Sequence, residues 1–139
     1  MDTDEILDAL AGFSLFADLG RPDLQAISHT FEEESFAEGQ RILRQGFTGT
    51  GFYLILQGEA AVIIDGREIA RLGRGDFFGE ISILLDEPPS ADVVALSPLT
   101  CIVLPRDDLA GWLVTKPTVT LRMLRAEVRR LRAANQWRS

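Results

Sequence analysis

The sequence predicts a mainly β fold, an antiparallel β-sandwich or jelly-roll barrel flanked by short N-terminal helices and a long C-terminal helix. Three observations predict it. From Thr30 onward Gly39, Gly46, Gly49, Gly51, Gly58, Gly66, Gly73 and Gly75 cut the chain into short apolar runs, the texture of strands joined by turns. Asp65-Gly66 separates Ala60-Ala61-Val62-Ile63-Ile64 from Arg67-Glu68-Ile69-Ala70-Arg71-Leu72, and a two-residue Asp-Gly link suits a tight hairpin. The stretches between runs are too short for the crossover helices that a parallel sheet requires.

Taken in order, residues 2–11 and 23–29 carry short helical patterns, with Pro22 suited to an early helical position after Gly20-Arg21. Between them Phe13, Leu15, Phe16 and Leu19 form an apolar patch expected to dock on a larger body. Phe31 and Phe36 bracket Glu32-Glu33-Glu34, whose carboxylates partly alternate across a strand and are expected in solvent rather than around a metal. Strands are expected near 41–44, 51–57, 60–64, 67–72, 93–96 and 100–104, and a short helix over 80–85. After Pro105 the helical pattern returns at 107–113, and Pro117 is placed to start a last helix over 118–134. Within it Leu121, Leu124, Val128 and Leu131 recur at alternating three- and four-residue steps and form one apolar seam, with arginines over much of the rest. Two heptads are too short to stand alone. The seam packs either on the chain's own body or against the same helix of a second copy, and the sequence leaves both open; Trp137 either extends such an interface or stands exposed.

A chain of 139 residues closes one hydrophobic core, so one domain is expected over 1–139. No apolar run approaches the length of a membrane span. The acidic start, Met1-Asp2-Thr3-Asp4-Glu5, lacks the basic residues and apolar stretch of a secretory signal, which predicts cytoplasmic residence. Cys101, the single cysteine, lies in the apolar run Thr100-Cys101-Ile102-Val103-Leu104 and reads as a buried structural thiol. The net charge of −7 is unevenly placed: residues 116–139 are net +6 and the preceding residues net −13. The body repels nucleic acid and only the tail can attract it, the plain reading of the tail being a solvated basic helix face. His29, the single histidine, has no second group spaced against it for catalysis and reads as a helix-end or surface residue. No enzymatic activity, metal or cofactor is expected.

The run Gly75-Asp76-Phe77-Phe78-Gly79-Glu80-Ile81-Ser82 joins three others: Leu15-Phe16-Ala17-Asp18-Leu19, Phe36-Ala37-Glu38-Gly39-Gln40-Arg41-Ile42-Leu43-Arg44-Gln45-Gly46 and Phe52-Tyr53-Leu54-Ile55-Leu56-Gln57-Gly58-Glu59-Ala60. Together they resemble the cyclic-nucleotide-binding domain of catabolite-activator-type regulators, kinase regulatory subunits and gated channels, over about residues 13–134. The resemblance implies a phosphate-binding cassette in which Glu80 accepts from a ribose 2′-hydroxyl and backbone amides near Ile81 and Ser82 approach a cyclic phosphate, with Gly79, Ser90 and Ala91 completing the ligand-binding set. Independently of the resemblance, Gly79 allows close backbone approach, and a helix over 80–85 aims its first N–H groups at an anion.

The cassette departs from the family at one decisive place. Pro89 and Ser90 stand where the family carries its phosphate-binding arginine, and neither can form a charged fork to phosphate. Such pairing contributes about 1.5–3 kcal/mol, so its loss weakens binding by roughly tenfold to a hundredfold or more. Ser90 can donate one neutral hydrogen bond. Arg71 and Arg74 precede the cassette and are expected to be solvated, and Asp92, at a position often threonine in the family, repels phosphate if it faces the site.

Two alternative functions are therefore left open by the sequence. One is a regulatory domain that senses cAMP, cGMP or a related small ligand and signals through its C-terminal helix. The other is a ligand-independent scaffold that pairs with a second copy or a protein partner through Leu121, Leu124, Val128 and Leu131. Family transcription factors place a helix-turn-helix module after the long helix, and no such module precedes Ser139, so sequence-specific nucleic-acid binding is not expected.

Overall fold

The structure, a computed structural model, describes residues 2–47 and 51–135; Gly49, Trp137 and Arg138 lie outside the described residues. Helices α1 (Thr3–Ala11) and α2 (Arg21–Ser28), separated by a 3-10 turn at Ser14–Phe16, precede the strands. The strands are β1 (Glu32–Phe36), β2 (Arg41–Leu43), β3 (Gly51–Gln57), β4 (Ala60–Ile64), β5 (Arg67–Leu72), β6 (Phe77–Phe78), β7 (Asp92–Ala95) and β8 (Leu99–Pro105). Helix α3 (Glu80–Leu85) follows β6, and α4 (Leu109–Val114) and α5 (Pro117–Asn135) follow β8. Two four-stranded antiparallel sheets, ordered β1-β8-β3-β6 and β2-β7-β4-β5, make a sandwich rather than a closed barrel.

The continuous apolar run of β3 demands burial on both faces of its sheet. Alternation sorts it. Tyr53, Ile55, Phe78, Cys101 and Val103 pack with Leu43, Leu72 and Val93 of the second sheet, while Phe52, Leu54, Phe77, Ile102 and Leu104 pack with α1, α2, α4 and α5. The Phe13, Leu15 and Phe16 patch is buried in that helical layer, where Trp112 meets the edges of Phe16 and Phe31, each at 5.9 Å between ring centroids. Cys101 is buried, and desolvation followed by the nearby Glu34 charge pushes its thiol up to about 12. Glu32, Glu33 and Glu34 are exposed along β1, and exposed His29 stands at the C-cap of α2.

Asp65 and Gly66 both have positive φ, 50° and 79°, the geometry of a two-residue turn whose twist matches its strands. Gln45 clamps it, donating from Nε2 to Asp65 Oδ1 at 3.0 Å and accepting from Asp65 N. Observed strands follow the expected runs to within a residue or two. β1 is the strand across which Glu32-Glu33-Glu34 were expected to alternate, and β6, too short to show periodicity, was absent from the expected set. Residues 107–108 fall in a 3-10 turn, so α4 starts at Leu109.

The terminal helix runs one residue past expectation at each end, and its docking face is not the leucine seam. Val119 and Met123 are buried and Ala126 packs beside them. Thr120 Oγ1 donates to Leu113 O at 2.7 Å, and Arg122 donates to the carbonyls of Ser14, Leu15 and Ala17. Arg122 is therefore an anchor rather than a freely solvated charge. Leu121, Leu124, Val128 and Leu131 remain 46%, 58%, 54% and 62% exposed, so the seam does not pack on this chain's own body. No described helix is long and apolar enough to cross a membrane.

Candidate functional site

A turn hooked onto β3 positions the cassette. Gly73 N donates to Asp76 Oδ2, Gly75 N donates to Ile55 O, and Ile55 N donates to Asp76 O, at 2.9, 3.0 and 2.9 Å. The chain then passes through β6 and turns sharply at Gly79, whose φ is 94°. A Cβ on Gly79 would overlap the carbonyl oxygen of Gly51, so glycine is required both by conformation and by space. The close approach that Gly79 permits is to β3. Beyond it α3 begins at Glu80.

Between α3 and the β4-β5-β7 face lies a cavity of ≈ 540 Å³, with Leu43, Val62, Leu72, Phe78 and Val93 on its apolar wall. Gly79, Glu80, Ile81, Ser82, Ser90 and Ala91 all border it. Ile81 turns much of its side chain to solvent. Ser82 accepts from Arg106 at its hydroxyl (3.4 Å) and at its carbonyl (3.2 Å). Ser90 is exposed, whereas Pro89 is buried in the wall and its carbonyl accepts from Gly46 N at 2.9 Å.

Asp92 lies away from the cavity. Its Oδ1 accepts from Gln45 N at 2.7 Å and its Oδ2 is 3.5 Å from Arg41 Nε. Of the two arginines before the cassette, Arg71 borders the cavity but is largely exposed and paired with Glu68 at 3.0 Å. Arg74 borders a separate groove beside Asp8 and Glu33.

The residue that sequence reasoning missed is Arg130. It reaches from α5 to the cavity rim, donating from Nη1 to Glu80 Oε1 at 3.3 Å and from Nη2 to Phe77 O at 2.7 Å. Its guanidinium lies 4.3 Å from the Phe77 ring centroid, and Nη1 is also 3.4 Å from Glu127 Oε1. Glu80 is only 1% exposed, and its Oε2 has no donor among the described residues. Desolvation, then hydrogen bonding to Glu127 and the charge of Glu127, push the Glu80 carboxyl up to about 8 against the opposing pull of Arg130. At neutral pH Glu80 therefore mostly holds a proton. A sequence signal for Arg130 exists: Val119, Met123, Ala126 and Arg130 recur at four-, three- and four-residue steps, the stripe opposite the leucine seam.

The family described as cyclic nucleotide-binding domain matches residues 33–116, ending just before α5. A cGMP-dependent protein kinase of Eimeria tenella is 36% identical over 98 residues, covering 70% of this chain and 10% of the kinase; the chain spans about a tenth of that relative's length. The structure of a cyclic nucleotide-binding domain from Methylobacillus flagellatus KT superposes with a TM-score of 0.80 at 29% identity, covering 96% of this chain and 80% of that one. For the catabolite activator protein of Thermus thermophilus the TM-score is 0.76 at 29% identity, covering 88% and 60% of the two chains.

Proposed function

Because the chain belongs to the cyclic nucleotide-binding domain family, we propose that it is a non-catalytic, cytoplasmic sensor whose cavity takes a ribose-bearing small ligand and whose output is the position of α5. One observation carries this reading: Glu80, a carboxyl bordering the cavity, is 1% exposed and held by Arg130 of α5. Ligand hydroxyls that bind that carboxyl compete with Arg130 for it. Ligand occupancy and the docked end of α5 then compete, so ligand shifts α5 toward an undocked population by as much as it prefers the uncovered carboxyl.

Titration calorimetry on nucleotide-stripped protein tests the reading, with cAMP, cGMP, adenosine and guanosine as probes. At least one is expected to bind in the millimolar range or tighter. Arg130→Ala, which removes the competitor, should strengthen that binding several-fold, and Glu80→Ala should weaken it about tenfold or more. No heat from any of the four up to millimolar concentration contradicts the proposal.

A second reading, a scaffold independent of ligand, is favoured by the exposed seam of Leu121, Leu124, Val128 and Leu131. Its proposed occupant is the α5 seam of a second copy. Glu127 and Arg132 are five residues apart and flank the seam at positions that face each other with opposite charge across a parallel helix pair. The two readings are compatible, since a helix released at one face can still pair at the other.

A further inference from the structure

Resting on the proposal that the cavity is a ribose-ligand site, we infer that it selects an uncharged nucleoside-like ligand, an apolar ring carrying vicinal hydroxyls, over the phosphate-bearing counterpart. Among the described residues, both cations at the cavity, Arg71 and Arg130, are already engaged. Arg71 is paired with Glu68, and Arg130 is divided among Glu80, Glu127, the Phe77 carbonyl and the Phe77 ring. Where a phosphate would need its own guanidinium, the wall presents the buried ring of Pro89 and the neutral hydroxyl of Ser90.

Backbone amides at the start of α3, which borders the cavity, can also donate there. With six residues, this helix contributes a short dipole, and amides alone replace neither the charge nor the geometry of an arginine fork. An anion placed there loses its hydration without gaining a counter-charge. It also brings negative charge to a neighbourhood whose near cation, Arg130, is already shared between the carboxyls of Glu80 and Glu127.

A neutral nucleoside meets none of these costs. Vicinal hydroxyls both donate and accept, so they suit the buried Glu80 carboxyl at the cavity border whether it is protonated or ionised. An aromatic base fits the apolar face of Val62, Leu72, Phe78 and Val93.

The test is a paired titration: guanosine against cGMP and adenosine against cAMP, on the wild-type chain and on Ser90→Arg. In the wild type the nucleoside of at least one pair should bind about tenfold more tightly than its cyclic phosphate, and Ser90→Arg should strengthen the cyclic phosphate until the preference is lost or reversed. Cyclic phosphates that bind the wild type as tightly as their nucleosides overturn the inference and leave the ribose-site proposal standing. A wild type that binds none of the four contradicts the ribose-site proposal and the inference together, even where Ser90→Arg binds a cyclic phosphate.

Discussion

Burying a carboxyl to 1% exposure is costly unless it is paired or protonated, and Glu80 uses both remedies, an Arg130 contact on one oxygen and a carboxyl pKa pushed up to about 8. The raised value has a direct consequence for stability. Between about 4.5, the ordinary value, and 8 the folded chain holds a proton that the unfolded chain gives up. This contribution to stability is therefore full at low pH and is lost as pH rises through the folded value. From pH 6 to 8 the loss is on the order of 2 kcal/mol. Glu80→Gln keeps the shape and removes the titration, so denaturant midpoints measured between pH 5.5 and 8.5 should fall less steeply for the variant than for the wild type. Parallel pH profiles would show that Glu80 is an ordinary carboxylate in the fold.

At the scale of elements, α5 carries two stripes of similar spacing, and their burial is the reverse of what side-chain hydrophobicity suggests. The leucine seam faces outward, while Val119, Met123 and Ala126 dock with Arg130 below them. Leu124→Glu is expected to change stability by no more than about 0.5 kcal/mol. If the seam pairs copies of the chain, the same substitution converts a concentration-dependent dimer to a monomer in sedimentation velocity; a wild type that stays monomeric at high concentration argues against that pairing. The strands 51–57, 60–64 and 67–72 were legible because Gly58 and Asp65-Gly66 mark their ends. All six expected cavity residues lie in or beside one short loop-helix segment, so local pattern was enough to group them. Arg130 was not legible as a site residue because its contact with Glu80 spans 50 positions, and spacing within α5 reveals a face without saying what that face meets. The charge of Asp92 could be read from sequence, but its direction depends on β2 folding beside β7, where Arg41 and the Gln45 amide claim it.

Across the whole molecule the sandwich provides a fixed frame. One face of the β1-β8-β3-β6 sheet packs on the second sheet and the other on the helical layer, so the cassette between β6 and β7 and the helix after β8 are tied to the same strands. Arg130 links them, crossing from α5 to the cavity rim, with Glu127 of the same helix beside it. Backbone amide exchange along α5 tests that link most directly, compared for the wild type and Arg130→Ala, with and without saturating guanosine or cGMP, whichever binds. Exchange over residues 127–135 is expected to be faster when ligand is added to the wild type, and fast without ligand in Arg130→Ala. Exchange that stays equally slow in the saturated wild type and in Arg130→Ala would mean that the cavity and α5 are not coupled through Arg130.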